Sequence, residues 1–182
     1  MLSGVRQLIT TLGPPDLGPG PRRGVQPLAA LRKQLDVTLG GCDLPGRALE
    51  LIRATILLWH DHLDAAHTIA QEIETTDGSY VHGIMHRREP DYGNAKYWFR
   101  RVGNHACFPA LASQAERLLQ SDNERRFGEK LIVRGDWDPF AFVDACEQVE
   151  GHSATDARVK LLRAIQRAEF DTLLDHFCRS LS

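Results

Sequence analysis

The chain has no CxxC pair, no glycine-rich phosphate loop and no apolar run of membrane-spanning length, and each absence removes a class of function. Cys42, Cys107, Cys146 and Cys178 stand far apart, so neither a paired-cysteine zinc ribbon nor a thioredoxin-type motif is present. The opening residues, MLSGVRQLITTLG, hold too short an apolar stretch for an export signal. The four thiols are therefore expected to be reduced and to fill core space, and the expected compartment is the cytoplasm. An excess of positive charge is also missing. The net charge of −2 gives no global attraction to nucleic acid or to an anionic membrane, and neither is expected as a partner. Alternating β-type patterning is nearly absent: only KLIVRG reads as a strand, and one strand makes no sheet.

What remains is helical periodicity. At 182 residues, 42% hydrophobic and 25% charged, the chain is expected to be one all-α domain of antiparallel helical hairpins. Residues 1–27 contain GPPDLGPGPRRGVQP, which sustains neither helix nor strand. They read as a flexible arm, either a tether or a strap over the surface, with the helical domain spanning 28–182.

The first domain helix runs through LAALRKQLDVTL to Gly40-Gly41. From Pro45, Ile52, Ile56, Trp59, Leu63, Ala66, Ala70 and Ile73 recur at steps of three and four, with HDH (60–62) as a break. His60, Asp64, His67, Gln71 and Glu74 form the opposite polar stripe. Asp77-Gly78 reads as a turn and Ser79 as the cap of a helix that stops near Arg88, because Pro90 disfavours helical geometry at Glu89. Asp91 caps the next helix, which Gly103 ends. Further helices are expected over 109–120, over 139–150 behind the cap Asp138, and over 155–181.

One segment concentrates the chemistry: HGIMHRREPDYGNAKYWFRRVG, His82 to Gly103, with five Lys or Arg against two acids. Together with AAHTIAQEI upstream and WDPFAFVD downstream, it resembles a family of all-helical microbial proteins with no assigned activity. That resemblance covers the chain from about Trp59 onward and implies no catalytic residues. The segment is also similar to a tetratricopeptide-type hairpin, with Gly83, Ala95, Phe99 and Pro109 at the pattern's small, alanine, aromatic and proline positions. This implies a helical hairpin and, as an alternative function, an interaction module without catalysis. Arg87, Asn94, Lys96 and Arg101 would then grip a peptide backbone or terminal carboxylate.

Two chemical readings follow from the residue types. In the first, Arg87, Asp91, Asn94, Tyr97, Trp98 and Arg101 bind an anionic small molecule, the guanidinium groups by paired hydrogen bonds and the aromatics by stacking. His82, His86 and Glu89 then supply acid–base catalysis. In the second, His82 and His86, one helical turn apart, share a divalent transition metal with His67. The metalloprotease signature is not met, since Gly83 stands where its glutamate belongs. A third use of the same residues is structural, with Arg87 or Arg88 bridging Glu72, Glu89 or Asp91 to fix the helix packing. Whether the segment is catalytic or purely structural stays open at this level.

Overall fold

The structure, a computed structural model, describes residues 2–10, 13–119 and 122–179. Its described residues form ten helices and one minimal hairpin. In order these are α1 (Leu2–Leu8), α2 (Leu28–Leu39), α3 (Gly46–Trp59), α4 (Leu63–Ala70), α5 (Thr76–Arg88), α6 (Tyr92–Val102), α7 (Phe108–Leu118), α8 (Asp122–Leu131), β1 (Ile132–Val133), β2 (Asp136–Trp137), α9 (Pro139–Gln148) and α10 (Ala157–Arg179). The fold is all-α.

Local chemistry explains most boundaries. Asp91 caps α6 by accepting from the backbone N–H of Asn94 at 3.2 Å, and Asp138 caps α9 by accepting from Phe140 and Ala141. Gly103 ends α6 at φ +61°, a conformation open to glycine. The HDH break is real: α3 stops at Trp59 and α4 starts at Leu63. It moves His60 off the expected polar stripe, and its Nε2 instead meets the Leu8 carbonyl at 2.8 Å in the core.

Four expectations need correction. Asp77-Gly78 is not a turn, and Ser79 is not a cap. Thr75 caps α5, its hydroxyl accepting from Gly78 N–H at 3.1 Å, because its extended backbone already aims the side chain at the third helical residue. Of KLIVRG only Ile132 and Val133 are strand, pairing with Trp137 and Asp136 around Arg134-Gly135, while Lys130 and Leu131 close α8. Helix α8 has an apolar content too low for its periodicity to stand out in sequence. The helices expected at 109–120 and 139–150 close earlier, at Leu118 and Gln148, and the one expected at 155–181 starts at Ala157 and runs to Arg179, the last described residue. Gln120, Ser180 and Leu181 lie outside the described residues.

The core is continuous, with α3 and α10 at its centre and α7, α9, α5 and α6 packed around them. The described residues among 1–27 pack onto the same core. Val5, Leu8 and Ile9 of the first segment are buried in that core. The proline-rich stretch is fastened through its carbonyls: Pro14 to Arg163, Pro15 to Gln166, Asp16 to Gln166 and Arg88, and Gly18 to Arg88. Extended backbone cannot pair with itself, so side chains of α5 and α10 satisfy it.

The oddest element is α5. Every residue from Gly78 to Arg88 is buried although the helix is rich in polar side chains. Burial of polar groups is tolerable only where each finds a partner. On one side, Arg87 donates to Glu169 Oε1 at 3.1 Å and to Gln166 at 3.3 Å, with its guanidinium over the Phe142 ring at 4.4 Å. Arg88 donates to Asp61 Oδ1 at 2.6 Å and to the Leu58 carbonyl. Asp61 also accepts from Arg22, which ties the arm to the same centre. Glu72, Glu89 and Asp91, the local partners expected for these arginines, are not the ones used. Removing one partner of such a buried pair costs about 3–5 kcal/mol, since a charge is left alone in low dielectric.

Candidate functional site

The α5–α6 hairpin closes tightly because Gly83 has no side chain. A Cβ there would lie 2.9 Å from the Phe99 ring. That approach lays the second polar face of α5 against Trp98 of α6, while α4 crosses on the other side.

Three imidazoles meet in this layer. His82 and His86, one turn apart on α5, have ring centroids 5.8 Å apart and planes within 14°. His67 of α4 stands edge-on to both, at 5.0 Å from His82 and 5.8 Å from His86. One ring nitrogen from each of the three lies within 4.8 Å of the others. His82 and His86 are buried and His67 is half-buried, so His67 is the most exposed of the three.

The nitrogens are not equally engaged. Nδ1 of His82 is buried and finds no hydrogen-bond partner among the described residues. Its ring lies flat on Trp98, centroids 4.0 Å apart and planes 6° apart. Burial, then the nearby His67 and His86 rings, push the His82 pKa down to about 4, so the ring is neutral with a lone pair available at pH 7. Burial also lowers the pKa of His86, against opposition from Glu89 and Asp91. His86 Nδ1 lies 3.2 Å from Glu89 Oε2 and 3.9 Å from Asp91 Oδ2, while the Asn94 amide nitrogen sits 3.1 Å from its Nε2. A carboxylate on Nδ1 fixes the tautomer and puts the His86 lone pair on Nε2, where the Asn94 amide donates to it, so a ligand role for His86 requires Asn94 to give way.

Of the residues singled out from sequence, His67, His82, His86, Glu89, Asp91, Asn94 and Trp98 come together here. Arg101 lies at the rim with its Cζ 5.3 Å from the Trp98 ring. Tyr97 is 47% exposed and packs edge-on against Trp98. Arg87 is on the opposite side of α5, enclosed with Glu169, and does not face the imidazoles. Its assignment to the anion pocket is therefore withdrawn: both its side chain and its partner are fully buried. A cavity of about 330 Å³ borders Glu89 on the side of α4 and the arm, with His62, Asp64 and Pro19 in its wall.

A second cluster was not anticipated, because its members come from distant parts of the chain. Asp77 Oδ1 receives His105 Nε2 at 2.8 Å and His176 Nε2 at 3.2 Å. Burial pushes the Asp77 carboxyl up, but the His105 hydrogen bond and the His176 charge outweigh it and hold it below the usual range. Ligand atoms of His105, Cys107 and His176 also lie within 4.8 Å of each other. Distance alone would make this a metal site too, but the hydrogen bonds speak against it. The Cys107 backbone N–H donates to His105 Nδ1 at 3.1 Å, so His105 carries its proton on Nε2 and gives it to Asp77. A neutral imidazole bound to an ion through Nε2 needs that proton on Nδ1, where the Cys107 N–H stands. Burial also pushes the Cys107 thiol up to about 12, which keeps it protonated. This cluster ties α5, the loop before α7, and α10 together.

No protein-family model matches this chain, and no curated protein or solved structure matches it either.

Proposed function

We propose that His67, His82 and His86 bind one divalent transition-metal ion, with the remaining coordination position open to water or to an anionic small molecule. The observation that carries this reading is the convergence of three imidazoles with one ring nitrogen each within 4.8 Å, together with a buried His82 Nδ1 that has no partner among the described residues. A buried polar atom without a partner costs stability unless something absent from the protein alone satisfies it. Imidazole nitrogen suits zinc, nickel, copper and iron. At metal–nitrogen distances of about 2.1 Å, tetrahedral ligands stand about 3.4 Å apart, so binding would draw the rings inward by roughly an ångström. His67, half-buried on the short helix α4, has the room to move.

Three nitrogens and an open position is the donor set that lowers the pKa of bound water and polarises a carbonyl or phosphoryl oxygen. Glu89 orients His86, and Arg101, packed on the Trp98 ring, supplies a cation for the charge of an anionic ligand. The hairpin as a tetratricopeptide-like peptide module has thinner support, since Lys96 is engaged with Asp144 and Arg87 with Glu169.

The deciding experiment is elemental analysis of untagged protein after equilibration with zinc, cobalt or nickel and removal of the excess. One ion per chain is expected, with a cobalt absorption spectrum typical of nitrogen and oxygen ligands. No retained metal with any of the three would end the proposal.

A further inference from the structure

A different region of the molecule carries its own unmet charge. Between α8 and the junction of α9 with α10 lies a cavity of about 430 Å³ whose wall includes Arg126, Phe127, Lys130, Gln148, His152 and Arg158. That size falls in the range of small-molecule pockets. Arg158 is laid on the Phe127 ring, its Cζ 3.7 Å from the centroid, which fixes the plane of the guanidinium. Its Nη1 is buried and finds no hydrogen-bond acceptor among the described residues.

The acid in the same wall is already spent. Asp156 accepts from the backbone N–H groups of Arg158 at 2.7 Å and Val159 at 3.2 Å as the cap of α10, and His152 Nδ1 stands 3.6 Å from its other oxygen. Three permanent cations, Arg126, Lys130 and Arg158, thus face one carboxylate turned to the helix backbone. Ala145 and Val149 of α9 give the cavity an apolar side.

We infer that this cleft binds the phosphate group of a small phosphorylated molecule, with Arg158 as a pre-oriented fork and Arg126 and Lys130 as flanking charges. The fork suits a planar, paired contact with phosphate oxygens, and the ring beneath it reduces the freedom lost on binding. The apolar wall accommodates the organic part, which inorganic anions lack.

The test is calorimetric titration of the full chain with glucose 6-phosphate, inorganic pyrophosphate and glucose, with a short single-stranded oligonucleotide as a polymeric control. Glucose 6-phosphate is expected to bind and glucose not to bind. Arg158→Gln should weaken binding at least about tenfold, and Arg158→Lys should do nearly the same, because lysine keeps the charge but loses the fork and the stack. Arg126→Gln and Lys130→Gln, both at exposed positions, should weaken it several-fold without disturbing the fold, as judged by an unchanged melting temperature. His82→Ala should bind glucose 6-phosphate as the parent does, which separates this cleft from the histidine site. Absence of heat at about millimolar ligand, equal binding by all four cleft variants, loss of binding in His82→Ala, or tighter binding of the oligonucleotide than of the sugar phosphate would each overturn the inference.

Discussion

Two clusters of histidine sit at opposite ends of α5 and have opposite characters. Around Asp77, the hydrogen bonds of His105 and His176 among the described residues end on one carboxylate or on the backbone. Around His82, imidazoles face imidazoles, and one buried nitrogen has no partner among the described residues. Both groups place ligand atoms within the same 4.8 Å. What separates the two groups is therefore the unpartnered nitrogen of His82, not the number or spacing of the residues.

The largest expected effect tests that distinction directly. His82→Ala and His86→Ala should each weaken metal binding by at least about a hundredfold, more than the loss of an outer-shell partner would. His176→Ala should leave metal stoichiometry and affinity unchanged. Equal losses from both clusters, measured by competition with a chromophoric chelator, would erase the comparison.

Next in size is Asp77→Ala, which strips both histidines of their acceptor. Chemical denaturation should show a loss of about 1–3 kcal/mol, with metal affinity intact. A variant as stable as the parent would mean that the Asp77 cluster holds nothing together.

Glu89→Gln sharpens the role of the outer carboxylate. It keeps the shape but loses the charge that fixes the His86 tautomer, and metal affinity should drop about tenfold with little change in melting temperature. The pH dependence is subtler. His82 titrates near 4 in the folded chain, and burial lowers His60 and His86 in the same direction. The unfolded chain therefore binds more protons between the ordinary imidazole value of 6.5 and about 4, and stability falls as pH drops through that window. The melting temperature of metal-free protein should decline by about 3–8 °C from pH 7 to pH 4.5. His82→Gln should flatten part of that slope, and an unaltered slope would show that His82 is not one of the groups responsible.

Much of this molecule was legible along the chain because the signals were local. The all-α class, the HDH break, the caps Asp91 and Asp138, and the stop at Glu89-Pro90 depend on residues within a turn or two of each other. So does the sharing of one face by His82 and His86. The misreadings were of another kind. Ser79 looked like a cap as good as Thr75, since both hydroxyls precede helical sequence, and only backbone direction separates them. Arg87 resembled a ligand-binding cation because its neutralising partner, Glu169, lies 82 residues away, and the true partner of Arg88, Asp61, lies 27 residues away rather than among the local acids expected. Asp77, His105 and His176 carried no signal at all, being 28 and 99 residues apart.

Sequence by itself determined that this chain is helical and that its imidazoles and cations crowd into one hairpin, because helix periodicity and capping are short-range chemistry. Tertiary structure alone decided which of those groups are spoken for. A charge or lone pair is neutralised by whatever packs against it, and in a bundle that neighbour is set by helix crossings rather than by position along the chain.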